Sequence, residues 1–131
     1  IKLKINTVIT KWNYPEDMIE TILELNPERW KVFQVLKVEG ENDNRVDPLL
    51  ISEEQFMSFV HRHKHLNPIY ESNDLFRGSY VMLDPLGRFF QNAKGFIEYS
   101  RSILEVDPFE ALAEVGWDRE KFLKRGGIYE W

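Results

Sequence analysis

The sequence contains no cysteine, and this absence excludes several kinds of chemistry at once. Without thiols, the chain forms no disulfide, binds no metal through thiolates and has no cysteine nucleophile. Positive charge is scarce too, because 17 lysines and arginines stand against 22 aspartates and glutamates, for a net charge of -5. A broad nucleic-acid surface is therefore not expected, and any phosphate site must come from a local cluster of basic residues.

Long apolar runs are also missing. No stretch resembles a signal peptide or approaches the roughly 20 residues of a membrane-spanning helix, so we expect a cytoplasmic protein with no membrane partner. The sequence starts at Ile1, without an initiator methionine and inside a strand pattern, and we expect it to be a fragment of a longer chain. Its 131 residues, 43% of them hydrophobic, are nevertheless enough to form a core.

Two strand patterns flank a helix pattern in the first part of the chain. Apolar and polar side chains alternate from Ile1 to about Thr10, and a second strand rich in β-branched and aromatic residues is predicted over residues 30–38. Between them, Pro15 and the acidic residues after it start a helix, which ends at Asn26, just before a proline. This order predicts a βαβ unit whose two strands are parallel and adjacent.

The two predicted strands share a polar face. With a period of two, Lys4 and Asn6 lie on one face of the first strand, and Arg29 and Lys31 lie on one face of the second. Burying three cations without a counter-charge costs several kcal/mol. This cost favours a bound polyanion, and the arginine fork suits phosphate oxygens. Two alternatives stay open: carboxylates from neighbouring strands neutralise these residues, or the face is exposed to water.

The rest of the sequence predicts several helices and one β-hairpin. Ser52 and Gln55 form a capping box ahead of an amphipathic helix, and Asp107 and Asp118 start two later helices. Residues 79–91 form a hairpin around an Asp-Pro-Leu-Gly turn. The histidines of the segment HRHKH stand two apart and diverge around a helix, which favours a solvated helix end over a metal site.

Two short features are ambiguous from the residues alone. One short segment combines a basic side chain, Arg125, with two glycines that have no side chain, Gly126 and Gly127. Their backbone amides can approach a phosphate group. The same residues are also typical of an ordinary helix stop. Tyr80 lies in the first strand of the predicted hairpin, where a tyrosine serves packing or chemistry. In both cases the two interpretations stay open.

A set of segments, taken in order, resembles one known family. The chain is similar to the C-terminal half of the viperin-like radical S-adenosylmethionine enzymes in the segments KIN, NPERWKVFQ, EGEN, FVHRHK, SYVMLDPLGRF and FLKRGGIY. The resemblance covers essentially the whole chain and implies an α/β fold. Residues 1–45 would be the last βαβ unit of a partial (βα)6 radical-SAM barrel. Residues 46–131 would be an α+β C-terminal extension that contains a β-hairpin and covers the nucleotide site.

The resemblance also implies a reaction. In that family, a CxxxCxxC motif holds a 4Fe-4S iron-sulfur cluster that cleaves S-adenosylmethionine to a radical, which takes the 4′ hydrogen of a nucleoside triphosphate, CTP in the animal enzyme. Loss of the 3′-hydroxyl as water gives a 3′-deoxy-3′,4′-didehydro nucleotide, a lyase reaction used in antiviral defence. The resemblance implies that this chain works with a missing N-terminal half. Alone, it would bind neither cluster nor cofactor and would be inactive.

Individual residues are assigned by the same resemblance. Tyr80 would be catalytic, beside the substrate ribose, and no residue of this chain would bind a metal. The nucleoside triphosphate would be bound by Lys4, Asn6, Arg29, Lys31, Arg125, Gly126 and Gly127. The aromatic end of the chain, Trp131, receives no assigned role.

Two alternatives come from other classes of protein. A radical enzyme of the molybdenum-cofactor-biosynthesis type would also bring an anion to the basic residues, but would lack the match to RGGIYEW. A non-catalytic interaction module would bind a protein partner through its acidic surface and aromatic tail, and carboxylates within the fold would neutralise its basic residues. As an incomplete barrel, the fragment would also expose a strand edge and self-associate.

Overall fold

The computed structural model describes residues 1–129 and divides them into two compact units. Unit 1 consists of residues 1–36, 44–73 and 128–129, and unit 2 of residues 37–43 and 74–127. Trp131 lies outside the described residues. Each unit contains a small sheet, parallel in unit 1 and antiparallel in unit 2, so the fold is mixed α/β.

Unit 1 is built on a three-stranded parallel sheet. Strand β1 (Lys4–Ile9) pairs with β2 (Arg29–Gln34), and β2 pairs with β3 (Ile69–Glu71). The parallel pairing predicted for the first two strands is confirmed. Strand β2 is shorter than predicted, and the third strand was not predicted.

Two helices cover one face of this sheet. Helix α1 (Ile19–Leu25) starts later than predicted and ends at Asn26, whose φ of 43° is left-handed. Helix α2 (Glu53–Arg62) begins with the predicted capping box of Ser52 and Gln55. Both helices turn apolar side chains toward apolar strand residues. The resulting core consists of Ile9, Ile22, Trp30, Val32, Phe56, Phe59 and Val60.

At the end of α2, one residue departs from the prediction, while His61, Lys64 and His65 are exposed as expected. The segment HRHKH was expected to be a solvated helix end, but the His63 side chain is fully buried. Its Nε2 accepts a hydrogen bond from the Met18 N–H at 2.9 Å, so its Nδ1 carries the proton and donates to the Phe59 carbonyl at 2.8 Å. The ring also packs against Phe59 and Trp30. Burial is possible because both ring nitrogens are satisfied.

Two 3-10 helices flank α2, at Asp47–Leu49 and Lys64–Leu66. Across residues 1–129, no group of histidine, aspartate and glutamate side chains is arranged to hold a metal ion.

Unit 2 is built on an antiparallel sheet. Strands β4 (Met82–Leu83), β5 (Arg88–Gln91) and β6 (Glu98–Ser102) pair in that order. The predicted hairpin is confirmed, since β4 and β5 flank a tight turn. Strand β4 is shorter than predicted, which leaves Tyr80 outside the sheet.

Three helices complete the described chain. The one-turn helix α3 (Asn73–Phe76) precedes the antiparallel sheet. Helix α4 (Pro108–Val115) is capped by Asp107, and α5 (Arg119–Lys124) is capped by Asp118, both as predicted. In the part of the chain that the structure describes, no helix is both long and apolar enough to cross a membrane.

Candidate functional site

The parallel sheet of unit 1 brings together the four polar residues predicted to share a face. Lys4 lies opposite Arg29 and Asn6 lies opposite Lys31 in the register of β1 and β2. All four alternate with the apolar residues that face the helices, so they lie on the other side of the sheet. We call this set the basic face. Asn6 is exposed, Lys4 and Arg29 are half-buried, and Lys31 is only 1% exposed.

A buried carboxylate lies beside the basic face. Glu71, the last residue of β3, is fully buried and forms an ion pair with Lys31. The register pairs Glu71 with Phe33, two residues after Lys31, so both charges lie on the same side of the sheet. Neutralisation by a carboxylate of a neighbouring strand, one of the alternatives left open by the sequence, therefore holds for Lys31.

Lys4 and Arg29 both contact the side chain of Tyr129. The Lys4 Nζ donates a hydrogen bond to the phenol oxygen at 2.6 Å, and the Arg29 guanidinium lies 4.0 Å from the ring centroid. The hydrogen bond from Lys4 lowers the pKa of Tyr129 below its usual value of 10.0; partial burial opposes this shift, and the charges of Lys31, Lys4 and Arg29 add to it. The basic face therefore favours negative charge at this oxygen.

In unit 2, Tyr80 is in direct contact with another candidate residue, Arg125. The Arg125 guanidinium lies 3.6 Å from the centroid of the Tyr80 ring and 5.0 Å from that of Phe122. The Phe76 ring lies 4.7 Å from the Tyr80 ring. Arg125 is only 5% exposed, so its charge is held among aromatic side chains. Two residues that the sequence singled out separately thus form one cluster.

The backbone around Tyr80 is held by side-chain donors. The Ser79 carbonyl accepts hydrogen bonds from Arg125 Nη2 at 3.2 Å and from Trp117 Nε1 at 3.1 Å. The Tyr80 carbonyl accepts from Gln91 Nε2 at 2.5 Å. Ser79 and Gln91 are buried, so these hydrogen bonds are shielded from water. We call the four residues that hold Tyr80 the tyrosine cage: Phe76, Gln91, Trp117 and Arg125.

Gly126 and Gly127 end helix α5. The Gly126 N–H donates to the Leu123 carbonyl at 3.0 Å, and the Gly127 N–H donates to the Phe122 carbonyl at 2.9 Å. Gly126 has a left-handed φ of 67°, which is typical of a glycine helix stop. Both amides therefore serve the end of the helix, and a phosphate contact for these glycines stays a prediction.

Several contacts of the candidate residues were not predicted from the sequence. Glu71 stands in a three-residue strand, which is too short for alternation to reveal. For Gln91, the sequence offered one indication of its contact, because Gln91 ends the second strand of the predicted hairpin and Tyr80 lies in the first. For Trp117 and Tyr129 the sequence offered no indication, since their partners lie far away in the sequence and in other elements.

Comparison with known proteins finds relatives named S-adenosylmethionine-dependent nucleotide dehydratase, while no family model matches the sequence. A protein of this name from Flammeovirga pacifica is 51% identical over 131 residues, or 99% of this chain and 45% of that protein. One from Lacinutrix mariniflava is 50% identical over 130 residues, 98% of this chain and 27% of its own length. The dehydratase RSAD2 of Oncorhynchus mykiss is 44% identical, covering 100% of this chain and 39% of that protein.

These matches confirm the viperin-like resemblance. Relatives that are 40 to 51% identical over nearly the whole chain share the name of S-adenosylmethionine-dependent nucleotide dehydratase. The chain spans between 27% and 45% of the length of these relatives. The basic face and the tyrosine cage thus belong to a chain that is homologous to one part of such dehydratases.

Proposed function

We propose that this chain is the nucleotide-binding part of a longer radical S-adenosylmethionine enzyme that dehydrates a nucleoside triphosphate. The product would be the 3′-deoxy-3′,4′-didehydro nucleotide, formed with net loss of one water, and CTP is the expected substrate. The protein would act in antiviral defence in the cytoplasm. The names of the relatives support nucleotide dehydration, and they favour it over the molybdenum-cofactor-biosynthesis type.

The observation that carries this proposal is the basic face. Three cations on one side of a small sheet, with one buried carboxylate beside Lys31, leave an excess of positive charge in a protein whose net charge is -5. The lowered pKa of Tyr129 supports the same conclusion, because the face already stabilises a negative oxygen. We propose that Lys4, Arg29 and Lys31 bind the triphosphate, that Asn6 orients it, and that the ion pair with Glu71 holds the Lys31 side chain in place.

The radical chemistry would need a cluster that this chain does not hold. Iron-sulfur clusters are bound by cysteine thiolates, and the sequence has no cysteine. Ligands for the cluster would therefore come from residues outside this sequence, and the chain alone would be inactive. The contribution of this chain would be to bind and orient the nucleotide.

Tyr80 would line the ribose site as the catalytic residue. It is half-buried, and its ring and backbone are held by the tyrosine cage. Loss of a 4′ hydrogen atom and of 3′-hydroxide from the substrate leaves it one electron short of the product alkene. A phenol can supply that electron and become a tyrosyl radical, while its proton combines with the hydroxide to give water; a one-electron reductant and a proton from solvent would then restore the phenol. For Arg125, Gly126 and Gly127 the resemblance implies contact with the triphosphate.

The test is turnover by the full-length protein with its cluster reconstituted under anaerobic conditions. Each nucleoside triphosphate is supplied with S-adenosylmethionine, and 5′-deoxyadenosine and a nucleotide lighter by one water are measured. Product from one triphosphate would identify the base. Cleavage of S-adenosylmethionine without a nucleotide product would move the substrate to another class, and the lack of any cluster would favour a non-catalytic interaction module.

Variants of the basic face then test the proposed contacts. Charged hydrogen bonds contribute about 1.5 to 3 kcal/mol each, so Arg29→Ala and Lys4→Ala should each weaken triphosphate binding roughly tenfold to a hundredfold. Lys64→Ala, which removes an exposed cation outside the basic face, is the charge-matched control. Normal affinity in the double variant of Lys4 and Arg29 would contradict the assignment.

A further inference from the structure

Arg125 is buried against the catalytic candidate, which suggests a role different from phosphate binding. Its guanidinium lies 3.6 Å from the Tyr80 ring centroid, with the Phe122 ring 5.0 Å away. One of its terminal nitrogens donates to the carbonyl of Ser79, the residue just before Tyr80. The side chain therefore contacts both the ring of Tyr80 and the backbone that carries it, and only 5% of Arg125 is exposed.

The other members of the tyrosine cage also contact the Tyr80 ring or the backbone next to it. Trp117 donates to the same Ser79 carbonyl, Gln91 donates to the Tyr80 carbonyl, and the Phe76 ring packs on the Tyr80 ring. These contacts fix the peptide and the ring plane together, which sets where the phenol oxygen lies. Arg125 contacts both the backbone and the ring through its side chain, whereas the contact of Phe76 with the Ser79 N–H is made by its backbone carbonyl.

We propose that Arg125 is a positioning residue for Tyr80, which it holds by stacking on the phenol ring and by its hydrogen bond to Ser79. This proposal rests on the proposed function and deepens it by giving Arg125 a different task from the triphosphate contact that the family resemblance implies. A guanidinium is suited to this task because it is planar and can donate in its plane while it stacks on a ring. A lysine ammonium carries the same charge but has no planar group that can stack on a ring.

The first experiment measures the arrangement without any cofactor. The full-length apoprotein is treated with tetranitromethane, and nitration of each tyrosine is followed by peptide mass spectrometry. Arg125→Ala should raise the nitration rate of Tyr80 several-fold, because it uncovers the ring, and leave the rate at Tyr70 unchanged. Lys124→Ala, which removes the exposed neighbour of Arg125, is the control. An unchanged rate at Tyr80 would overturn the proposal, even if the protein has no nucleotide dehydratase activity.

The second experiment separates positioning from phosphate binding in the reconstituted protein. A positioning role predicts that Arg125→Ala binds the triphosphate within about twofold of the parent, while nucleotide product per 5′-deoxyadenosine falls by at least about tenfold. Arg125→Lys should recover little of this loss. Tenfold weaker triphosphate binding with normal coupling would instead assign Arg125 to the phosphates and overturn the proposal.

A double-variant comparison excludes a general structural effect. If Arg125 acts through Tyr80, then Arg125→Lys should lower coupling in the parent but cause no further loss in the Tyr80→Phe background. Equal losses in both backgrounds would overturn the proposal. Because Arg125→Lys keeps the charge and most of the volume, it serves where Arg125→Ala fails to fold. A parent protein that yields no nucleotide product would refute the proposed function, and the nitration result would still decide the role of Arg125.

Discussion

At the scale of single residues, Tyr129 gives the basic face a measurable property. Its phenolate is stabilised by the Lys4 hydrogen bond and by nearby cations, so its pKa lies below 10.0 in the folded protein. Because the folded pKa is depressed, this group stabilises the fold at pH values above the pKa of the unfolded chain. The contribution is lost as the pH falls through the lower folded pKa.

We expect Lys4→Met to raise the pKa of Tyr129, since it removes the donor that stabilises the phenolate. The measurement is an ultraviolet pH titration of the parent and of Lys4→Met. From each curve, the curve of the same protein carrying Tyr129→Phe is subtracted, so that the other tyrosines cancel. Lys64→Met, treated in the same way, serves as the control. If Lys4→Met leaves the pKa of Tyr129 unchanged, the result would contradict the contact between the two side chains.

Glu71 is the residue whose loss should affect stability most directly. Glu71→Ala would leave the Lys31 ammonium buried without its counter-ion, which costs about 3 to 5 kcal/mol. Replacing both residues, Lys31→Met with Glu71→Leu, should recover most of this loss. Denaturant unfolding of the full-length protein measures the change. Glu24→Ala, at an exposed position of α1, should stay within about 0.5 kcal/mol of the parent.

At the scale of secondary-structure elements, the end of α5 depends on a close approach. A Cβ atom added at Gly127 would lie 2.6 Å from the Phe122 carbonyl oxygen and closer still to the Phe122 ring. A change of the Phe122 rotamer cannot relieve the clash with the backbone, so the helix end must move. The Phe122 ring is in turn a neighbour of the Arg125 guanidinium.

Gly127→Ala should therefore destabilise the protein by about 1 to 3 kcal/mol through overpacking. It should also disturb the tyrosine cage, so Tyr80 nitration should rise as it does in Arg125→Ala. Thermal unfolding and tyrosine mapping measure the two effects. Lys124→Ala, in the same helix but exposed, should cause neither. Unchanged stability in Gly127→Ala would mean that the chain leaves α5 differently from the structure described.

At the scale of the whole molecule, strand β1 lies at the edge of the described parallel sheet. It carries an exposed apolar residue, Val8, which is 51% exposed. Unpaired edges of this kind pair with other chains. We expect this chain, expressed alone, to form dimers or larger species as its concentration rises, whereas the full-length protein should not.

Sedimentation velocity over a range of concentrations tests the expectation. Val8→Lys should weaken self-association, because a lysine at an edge opposes pairing. Val81→Lys is the matched control, since Val81 is 50% exposed but lies outside the described strands. Equal effects of the two substitutions would place the contact elsewhere, and a monomer at every concentration would refute the expectation.

The sequence predicted those features that depend on residues close together along the chain. Alternation in β1 and β2 predicted which side of the sheet Lys4, Asn6, Arg29 and Lys31 share, and capping residues predicted where α2, α4 and α5 begin. The contacts that hold these residues are non-local. Glu71 reaches Lys31 from a short third strand, and His63 is buried because its hydrogen-bond partner, Met18, comes from another part of the chain. Periodicity carries no information about such partners.

The contact of Arg125 with two aromatic rings has a consequence for how the sequence varies among relatives. Phe122 packs on Arg125 and Arg125 packs on Tyr80, so the loss of Tyr80 removes this reason for keeping the other two. Among related sequences, these three positions should be retained or replaced together. Leu123 and Lys124, exposed between Phe122 and Arg125, are free of this constraint and should drift independently.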